Sequence, residues 1–546
     1  MHKKSILLSL LFISLLIQVA HGRTYQFSTA HASDEDIVEL TILHTSDLHG
    51  YGFPRDVLAP QDDLRSGGLF SLATLIAEKR RELWRHHPEH AKNFMRSGRD
   101  DGILLLDAGD NVSGTHDDAL TEGQNMVKLM NSPLLDYDAV TIGNHSADYG
   151  ARAMYRMIAM RRMPVIISNA WEKPNEEGLP NTVPWHIFNI RGVRVGIFGL
   201  SHDRSTRIDG VTMSPVVETA RKLAKELRPR ADIVILLGHL GLEREKEWLA
   251  GLATVKEIDL IIDGHSHADI DYKVGHILAV QAGKYGLRCG ELRLSWNKRL
   301  RKLQSATVTK HSLLVGDQKP SHRLRRTFSR LVAEVERENN SVIAKDMHGF
   351  FMKKTPRGAK TLPNAAAEFV ARSMFEEPLD GTYADVGMVY QKGVRNHVAA
   401  NDSGDVTKDL LHRVVPFGEK VVLVKRTGAQ LKNLVSYGLK RKFSWAGIKV
   451  VAREKEGPRG PERELIDVTI YDRNLKTFVP VDDEATYKLA CVSFFSRVFV
   501  RPEDGDVTKT TVDNKAVLRD FIIRHGERGQ FFFSAGDSLA ESLVID

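Results

Sequence analysis

The chain has 546 residues, of which 42% are hydrophobic and 27% charged, and it carries a formal net charge of +7. Because globular domains usually hold about 100 to 200 residues, this length and composition predict more than one folded unit and exclude a disordered or fibrous protein. The two cysteines exclude a disulfide framework, and the basic runs lack the interleaved aromatic residues of a nucleic-acid-binding strip, so we expect no nucleic-acid polymer as a partner.

The first residues have the pattern of an export signal. A positive start at Lys3-Lys4 precedes an apolar run at 5–19 and a small-x-small cleavage site at Ala20-His21-Gly22. We therefore predict a cleaved signal peptide at residues 1–22 and a periplasmic, secreted or cell-surface location. The alternative is an uncleaved anchor, but the apolar run is shorter than the roughly 20 residues that a spanning helix needs. We expect no membrane span in the chain after cleavage.

Residues 36–318 alternate short apolar runs with glycine or polar turns and amphipathic stretches, which is typical of an α/β domain. The continuous apolar character of the runs predicts strands that other layers cover on both faces. The predicted strands are at 38–43, 103–106, 139–142, 165–167, 193–198, 233–237, 260–262 and 277–280. The predicted helices are at 69–83, 120–130, 151–160 and 216–227.

A charged stretch at residues 319–346 carries a helical apolar stripe and is predicted to be a linker helix between two domains. The stripe consists of Leu324, Phe328, Leu331, Val332 and Val335. A second, smaller α/β domain is predicted at 347–546. Its predicted elements are a helix at 363–375 and strands at 421–424, 448–452 and 488–492.

Polar side chains follow five of the predicted strands in the first domain. They are Asp47 and His49, Asp110, Asn144 and His145, His239, and finally His265 and His267. Because ligands bind at the carboxyl ends of strands in α/β sheets, we expect these side chains to meet at one edge. Carboxylate oxygens and imidazole nitrogens together suit divalent zinc, manganese or similar ions. The donors outnumber the four that one tetrahedral ion takes, so the pattern predicts two ions that share a carboxylate.

The segments around these residues resemble the five sequence blocks of the calcineurin-like metallophosphoesterases. The blocks are Asp47-Leu48-His49, Gly109-Asp110, Gly143-Asn144-His145, Gly238-His239 and Gly264-His265-Ser266-His267. Flanking segments, among them Ser168-Asn169 and Gln281-Ala282-Gly283, narrow the resemblance to the 5'-nucleotidase family. The resemblance implies a layered β-sandwich metallophosphoesterase domain flanked by helices, followed by a smaller α/β substrate-binding domain.

The resemblance also implies a role for each residue of the blocks. One metal ion would be held by Asp47, His49 and His267, and the other by Asn144, His239 and His265, with Asp110 as the bridge. The ions would generate a hydroxide that attacks phosphorus in line. His145, oriented by Asp148, would stabilise the developing charge or protonate the leaving oxygen. The chain departs from the family at Ser146 and Ala147, where Glu and Phe are usual, and this departure affects the expected metal preference or rate.

The second domain resembles the family's carboxy-terminal substrate domain at Gly393-Val394-Arg395 and at Val415-Pro416-Phe417-Gly418. In that family an arginine grips the phosphate or sugar and aromatic rings sandwich the base. This implies that Arg395 and Phe417 bind substrate, with Phe494 and Asp504 as looser matches. The alternative is that Phe417, Phe494 and Phe495 are core residues.

We therefore expect an exported phosphoesterase with two divalent metal ions that hydrolyses small phosphate esters of nucleotides, as a 5'-nucleotidase or a 2',3'-cyclic nucleotide phosphodiesterase. Nucleotide sugars and non-nucleotide esters are alternative substrates. Two rival hypotheses are a ligand-binding protein on a decayed phosphoesterase scaffold and a hydrolase with a nucleophile elbow at Ser266. The sequence leaves the oligomeric state open.

Overall fold

The computed structural model describes residues 22–28, 36–58, 63–86, 102–173, 177–204, 206, 208–345, 365–394, 405–416, 418–441, 443–457, 460–493, 495–496, 507–527 and 543–545. The predicted signal peptide lies outside these residues, except for Gly22. The chain divides into two compact units. The first consists of Met1–Val57, Arg65–Ser113 and Asp118–Ser329, and the second of Leu58–Leu64, Gly114–Asp117 and Arg330–Asp546. Within the described residues no helix has the length and hydropathy to cross a membrane.

The chain up to residue 339 contains nineteen described strands and eight described α-helices. The strands are β1 (Arg23–Gln26), β2 (Ile37–Thr45), β3 (Arg55–Leu58), β4 (Asp63–Ser66), β5 (Ile103–Asp107), β6 (Ala139–Val140), β7 (Val165–Ile166), β8 (Ala170–Glu172), β9 (Glu177–Gly178), β10 (Thr182–Val183), β11 (Trp185–Ile190), β12 (Val193–Ser201), β13 (Val211–Met213), β14 (Ile233–His239), β15 (Leu260–Ile262), β16 (Asp269–Val274), β17 (Ile277–Ala282), β18 (Arg288–Asn297) and β19 (Lys302–Ser312). The helices are α1 (Gly68–His86), α2 (His116–Leu120), α3 (Gln124–Met130), α4 (Ala151–Met160), α5 (Val216–Leu227), α6 (Lys246–Leu252), α7 (His322–Thr327) and α8 (Ser329–Asn339).

Two large sheets form the first unit. One has the strand order β1-β19-β18-β2-β5-β6-β7-β10 and the other the order β11-β12-β14-β15-β17-β16. The strands from β2 to β10 in the first sheet run parallel, as do β12, β14, β15 and β17 in the second. Antiparallel strands form both edges of the six-stranded sheet and one edge of the eight-stranded sheet, whose other edge is the parallel strand β10.

An apolar core lies between the two sheets. Ile42 and Leu104 of the first sheet share one buried cluster with Ile235 and Leu237 of the second. Val234 and Leu236 of the same strand belong to another cluster with Val216 and Leu223 of α5 and Trp248 of α6. Because alternate residues of a strand point to opposite faces, a strand covered by a sheet and by helices must be apolar throughout. The predicted layered β-sandwich flanked by helices is therefore confirmed.

Some predicted elements differ from the structure. Helices 151–160 and 216–227 have the predicted bounds, whereas only residues 124–130 of the predicted helix 120–130 form a helix, α3, and Leu120 ends the separate helix α2. The division falls at Glu122 and Gly123, whose φ angles of 48° and 83° are left-handed and cannot continue a helix. The predicted linker helix is likewise two helices, α7 and α8, with Phe328 between them at φ −107° and ψ 27°. Strand 139–142 ends at Val140, where the chain turns into the next loop.

The second unit contains the remaining described elements. The strands are β20 (Val342–Ala344), β21 (Val386–Tyr390), β22 (Val406–Thr407), β23 (Lys420–Thr427), β24 (Phe443–Ala446), β25 (Ile448–Gly457), β26 (Gly460–Asp472), β27 (Thr477–Pro480), β28 (Thr486–Val492), β29 (Val507–Asp513) and β30 (Leu543–Ile545). The helices are α9 (Ala365–Glu376), α10 (Lys408–Val414), α11 (Gly428–Arg441) and α12 (Asn514–Glu527).

A five-stranded sheet, β24-β21-β28-β23-β29, lies at the centre of the second unit. Val421 and Leu423 pack into a cluster with α9 and α12 on one face. Val422 and Val424 pack on the other face, against α11 and the four-stranded sheet β27-β26-β25-β30. The second α/β unit that the sequence predicts is therefore present, with the helix at 363–375 and all three predicted strands close to their expected positions.

Gly199 of β12 provides a test of how closely the two sheets of the first unit approach. A Cβ atom at Gly199 would overlap the carbonyl carbon and oxygen of Ile166 in β7, which are backbone atoms that cannot rotate away. Gly199→Ala should therefore lower the free energy of unfolding by about 1 to 3 kcal/mol. At Gly178 of β9 a Cβ would meet no described atom within 4 Å. Gly178→Ala is the control and should change stability by no more than about 0.5 kcal/mol in urea unfolding.

Candidate metal centre

The predicted site residues of the first unit lie together at the carboxyl ends of strands from both sheets. Strands β2, β5 and β6 of the eight-stranded sheet lead to Asp47 and His49, Asp110, and Asn144. Strands β14 and β15 of the six-stranded sheet lead to His239, His265 and His267. The expectation of one sheet edge was wrong, because two stacked sheets each contribute. The parallel strands of both sheets end on the same side of the sandwich, so their loops meet.

One group of possible metal ligands consists of Asp47, His49 and His267, each offering one donor atom within 4.8 Å of the others. The Nε2 atoms of His49 and His267 are 3.1 Å apart. Nε2 of His267 is 3.6 Å from Oδ1 of Asp47. Asp47 is fully buried and His49 is almost so, whereas the side chain of His267 is 28% exposed.

A second group consists of Asp110, His239 and His265, again with donor atoms within 4.8 Å of one another. Nε2 of His239 lies 2.9 Å from Oδ2 of Asp110. Asn144 adjoins this group, since its Oδ1 is 2.7 Å from Nδ1 of His265. Oδ2 of Asp110 is also 4.0 Å from Nε2 of His49 in the first group. Asp110 is therefore the residue that lies between the two groups.

The hydrogen bonds of the histidines indicate that this donor set fits cations. Nδ1 of His49 lies 2.8 Å from the carbonyl oxygen of Ser113, and Nδ1 of His239 lies 2.7 Å from that of Ala108. Because a carbonyl oxygen only accepts, both Nδ1 atoms carry a proton, so in its neutral form each ring presents the lone pair of Nε2 to the centre. Nε2 of His239 is buried and has no partner with hydrogen-bond geometry among the described residues, although a carboxylate oxygen is near. Lone pairs and carboxylates that face one another are stabilised by divalent cations.

Unusual backbone conformations hold the donors in place. Five of the seven predicted ligands have left-handed φ angles: Asp47 (50°), His49 (46°), Asp110 (49°), His265 (77°) and His267 (64°). Such conformations cost on the order of 1 to 3 kcal/mol each and persist where surrounding contacts enforce them. The loops supply these contacts, since Asp47 N donates to Gly109 O at 3.0 Å and His49 N donates to Asp110 O at 2.9 Å. The two sheets are joined as well, because His265 N donates to the Asp47 carboxylate at 3.0 Å.

Glycine is required where these loops cross. A Cβ at Gly143, just before Asn144, would overlap the Asp110 carboxyl group. A Cβ at Gly264 would come within 3.0 Å of both Oδ2 of Asp47 and Nδ1 of His239. These two glycines therefore let the backbone approach the donor atoms directly.

The electrostatics of the centre reflect the burial of both carboxylates. Burial raises the pKa of Asp47 to about 7, against the opposing effect of His239. Burial alone would also raise the pKa of Asp110, but the positive charges of His239 and His145 hold it well below its usual range. Burial would lower the pKa of His239, yet the neighbouring Asp110 raises it to about 10. The buried carboxylates thus demand positive charge close by, which protonated histidine or a bound cation can supply.

His145 and Asp148 form a pair beside the metal ligands. Nδ1 of His145 is 2.8 Å from Oδ2 of Asp148, and the His145 ring centroid is 5.2 Å from that of His49. The His145 backbone N–H donates to Oδ1 of Asp110 at 2.9 Å. Burial would lower the pKa of His145, but Asp110 and the hydrogen bond to Asp148 raise it to about 9. The Asp148 carboxylate thus stabilises the protonated form of the imidazole, which can donate a proton.

Ser146 occupies the position where a glutamate is usual in the resembling family. Its Oγ accepts a hydrogen bond from the Gly143 backbone N–H at 3.0 Å, and its side chain is buried. The hydroxyl thus closes the turn that carries Asn144 and His145, while no carboxylate is present at this position. The His145–Asp148 pair survives the substitution.

Several residues of the centre were not anticipated from the sequence. Ser113 is one, since its carbonyl oxygen orients His49 and its Oγ donates to Oδ2 of Asp148 at 2.6 Å. Tyr285 is another, because its ring contacts the rings of both His49 and His267 at centroid distances of 5.8 Å. Tyr285 stacks on Tyr51 at 4.7 Å. These contacts join segments that are far apart in the chain, and no local motif signals them.

The four predicted substrate-binding residues, Arg395, Phe417, Phe494 and Asp504, lie outside the described residues. Phe495 is described and is only 2% exposed. Its ring packs on Phe443 at 4.7 Å within the core of the second unit, which agrees with the core alternative for this residue. The nucleophile-elbow hypothesis for Ser266 is wrong, because the strand β16 follows at Asp269–Val274 where that motif needs a helix.

Comparison with known proteins agrees with this architecture. The family model described as calcineurin-like phosphoesterase matches residues 40–269, and the 5'-nucleotidase, C-terminal domain model matches residues 342–497. Snake venom 5'-nucleotidase from Crotalus adamanteus is 24% identical over 93% of this chain and 91% of its own length. Protein UshA from Yersinia enterocolitica is 23% identical over 84% of this chain and 85% of its own.

Solved structures share the fold across almost the whole chain. The 5'-nucleotidase precursor from Thermus thermophilus superposes with a TM-score of 0.69 at 20% identity and covers 93% of this chain and 99% of its own. A putative 5'-nucleotidase from Staphylococcus aureus gives a TM-score of 0.70 at 17% identity, over 93% and 100% of the two chains. Both family models match in this order, the relatives match over nearly their full length, and the solved structures share the fold. The chain belongs to the 5'-nucleotidase family of metal-dependent phosphoric ester hydrolases, with a calcineurin-like phosphoesterase domain followed by a 5'-nucleotidase carboxy-terminal domain.

Proposed function

We propose that this protein is an exported hydrolase that binds two divalent cations and removes phosphate from nucleotides, as a 5'-nucleotidase or a 2',3'-cyclic nucleotide phosphodiesterase. The observation that carries the proposal is the position of Asp110 between two groups of buried donors, 2.9 Å from His239 and 4.0 Å from His49. The names of the relatives, 5'-nucleotidases from venom and bacteria, support nucleotides as the substrate class.

In this proposal, one cation is held by Asp47, His49 and His267 and the other by Asn144, His239 and His265, with Asp110 shared. When bound, two such cations polarise the phosphoryl oxygens and lower the pKa of a water molecule for in-line attack. The protein residues fix the donors beforehand. The carbonyl oxygens of Ser113 and Ala108 keep His49 and His239 in the tautomer that presents Nε2 to the centre.

His145 is the general acid in this proposal. Its Nδ1 is engaged by Asp148 at 2.8 Å, which leaves Nε2 to protonate the leaving oxygen of the ester. Ser113 Oγ donates to the same Asp148 oxygen at 2.6 Å and so restrains the carboxylate. The backbone N–H of His145 donates a hydrogen bond to Asp110, so the proposed general acid is held next to the residue shared by both donor groups.

The remaining parts of the proposal concern the whole chain. Cleavage after residue 22 would deliver the mature protein to a periplasmic, secreted or cell-surface location, in line with the venom origin of one relative. Residues 36–318 would carry the chemistry, and 347–546 would bind the nucleotide through Arg395, Phe417, Phe494 and Asp504. The presence of all seven predicted donors argues against the rival hypothesis of a decayed, purely ligand-binding scaffold.

Asp110→Asn tests the shared carboxylate. We expect the metal-stripped wild-type protein to bind two Mn²⁺ or Zn²⁺ ions per chain in calorimetry, and its thermal midpoint to rise with metal concentration. The variant should lose at least one ion and roughly 10³-fold or more of kcat/KM on every member of a panel of nucleoside monophosphates, 2',3'-cyclic nucleotides, nucleotide sugars and aryl phosphates. Asp209→Asn, at an exposed position, is the control. Full metal binding and activity in Asp110→Asn would contradict the proposal.

His145→Gln tests the general acid by means of the leaving group. With nucleoside 5'-monophosphates, whose alkoxide leaving group needs a proton, the rate should fall by roughly 10² to 10⁴-fold. With 2,4-dinitrophenyl phosphate, whose phenolate leaves unprotonated, the loss should be less than about 10-fold on the same argument. The exposed His322 provides the matched control, His322→Gln. Equal losses on both substrates would show that His145 does not act as the acid.

Asp148→Asn tests the pH dependence of the same pair. The acid form of His145 is the reactive one, so the rate should fall as pH rises through its pKa, which is raised in this site. Removal of the Asp148 charge and hydrogen bond lowers that pKa, so the alkaline limb of kcat should move to lower pH by roughly 1 to 2 units. If the alkaline limb of the measured pH profile does not move, that limb arises from the ionisation of another group.

A further inference from the structure

Gln281 lies at the end of β17, close to the turn that carries His265 and His267, and is only 1% exposed. Its Oε1 accepts a hydrogen bond from Ser266 Oγ at 2.7 Å. Its Nε2 donates to Oε2 of Glu243 at 2.8 Å and to Oδ2 of Asp263 at 3.3 Å. Both ends of this buried amide are therefore used, and its orientation is fixed because the two carboxylates only accept, so Nε2 must face them and Oε1 must face Ser266.

Ser266 stands between two proposed metal ligands whose backbone conformations are left-handed. The φ angle is 77° at His265 and 64° at His267. Ser266 itself is buried, and its carbonyl oxygen accepts a hydrogen bond from Arg244 Nη2 at 2.6 Å. Because a strained turn persists only where contacts enforce it, the hydrogen bond from Ser266 to Gln281 restrains the direction in which both histidines point.

Asp263 connects the same amide to the third histidine. Its Oδ1 accepts from the backbone N–H of Leu240 at 2.8 Å, and its Oδ2 accepts from that of Leu242 at 2.9 Å. Leu240 directly follows His239, the ligand whose Nε2 faces Asp110. The chain of hydrogen bonds therefore runs from the His265–His267 turn through Gln281 and Asp263 to the loop after His239.

We propose that Gln281 is a positioning residue of the metal centre, which holds the two histidine loops of the six-stranded sheet at the spacing that the cations need. The inference rests on the proposed function. Only an amide satisfies this position, because Ser266 needs an acceptor while Asp263 and Glu243 need donors. A carboxylate at 281 would face two other carboxylates, and an aliphatic side chain would release the turn. Contacts of this kind beyond the ligands change metal affinity by roughly 10 to 100-fold in other metal sites.

The test compares metal binding by Gln281→Leu and Gln281→Glu in the full chain. Both variants should bind Mn²⁺ and Zn²⁺ roughly 10 to 100-fold more weakly than the wild type in calorimetry on metal-stripped protein. The matched control is Gln304→Leu. Gln304 is a buried glutamine of β19 whose Nε2 has no hydrogen-bond partner among the described residues, and it lies at the opposite end of the sandwich. The control should keep wild-type metal affinity, whatever its thermal stability.

A double-mutant cycle with Ser266→Ala separates positioning from a general loss of stability. If Gln281 acts through Ser266, the effects of Gln281→Leu and Ser266→Ala on the metal dissociation constant should be clearly less than additive. Wild-type metal affinity in folded Gln281→Leu would overturn the inference, and so would full additivity in the cycle. If Gln281→Leu does not fold, an undiminished metal affinity in Ser266→Ala would overturn it. A wild-type protein that binds no metal would instead overturn the proposed function itself.

Discussion

The centre depends on one buried carboxylate, that of Asp110, which faces imidazole nitrogens from both sheets of the first unit. A charge in such surroundings is costly unless opposite charge is close, so the loops around it are built to keep that charge in place. The His145 backbone donates to one oxygen of this carboxylate, while His239 lies against the other. Position 143 is a glycine because a Cβ atom there would overlap the Asp110 carboxyl group. The positions of the other donors follow from these contacts.

The layered architecture explains why donors from such distant parts of the chain meet. Parallel strands deliver their carboxyl ends to the same side, and two stacked parallel sheets double the number of loops that end there. Hydrogen bonds then cross from one sheet to the other, as from His265 N to Asp47 and from His239 Nδ1 to the carbonyl oxygen of Ala108. The apolar core between the sheets sets the distance over which these bonds must reach.

Much of this organisation could be predicted from the sequence, because buried parallel strands are apolar throughout and the polar residues after them stand out. The helices at 151–160 and 216–227 are predicted at their observed bounds because each has one regular apolar face that is buried. The family was also predicted correctly. The division of the donors between two sheets was not foreseen, because strand order is a tertiary property that local patterns do not encode. The sequence does not identify Ser113 and Gln281 as orienting residues, because their side-chain partners are distant in the chain. Ser113 bonds to Asp148, 35 positions away, and Gln281 bonds to Ser266, 15 positions away.

The carbonyl oxygens that clamp His49 and His239 belong to the backbone, so the shape of the cage does not rely on the cations that it would hold. Intrinsic affinities of nitrogen and oxygen sites rise from manganese towards copper, so a rigid cage discriminates poorly by ligand type alone. The identity of the bound metal ion would then depend on which divalent ions are available in the compartment as much as on the ligands of the chain.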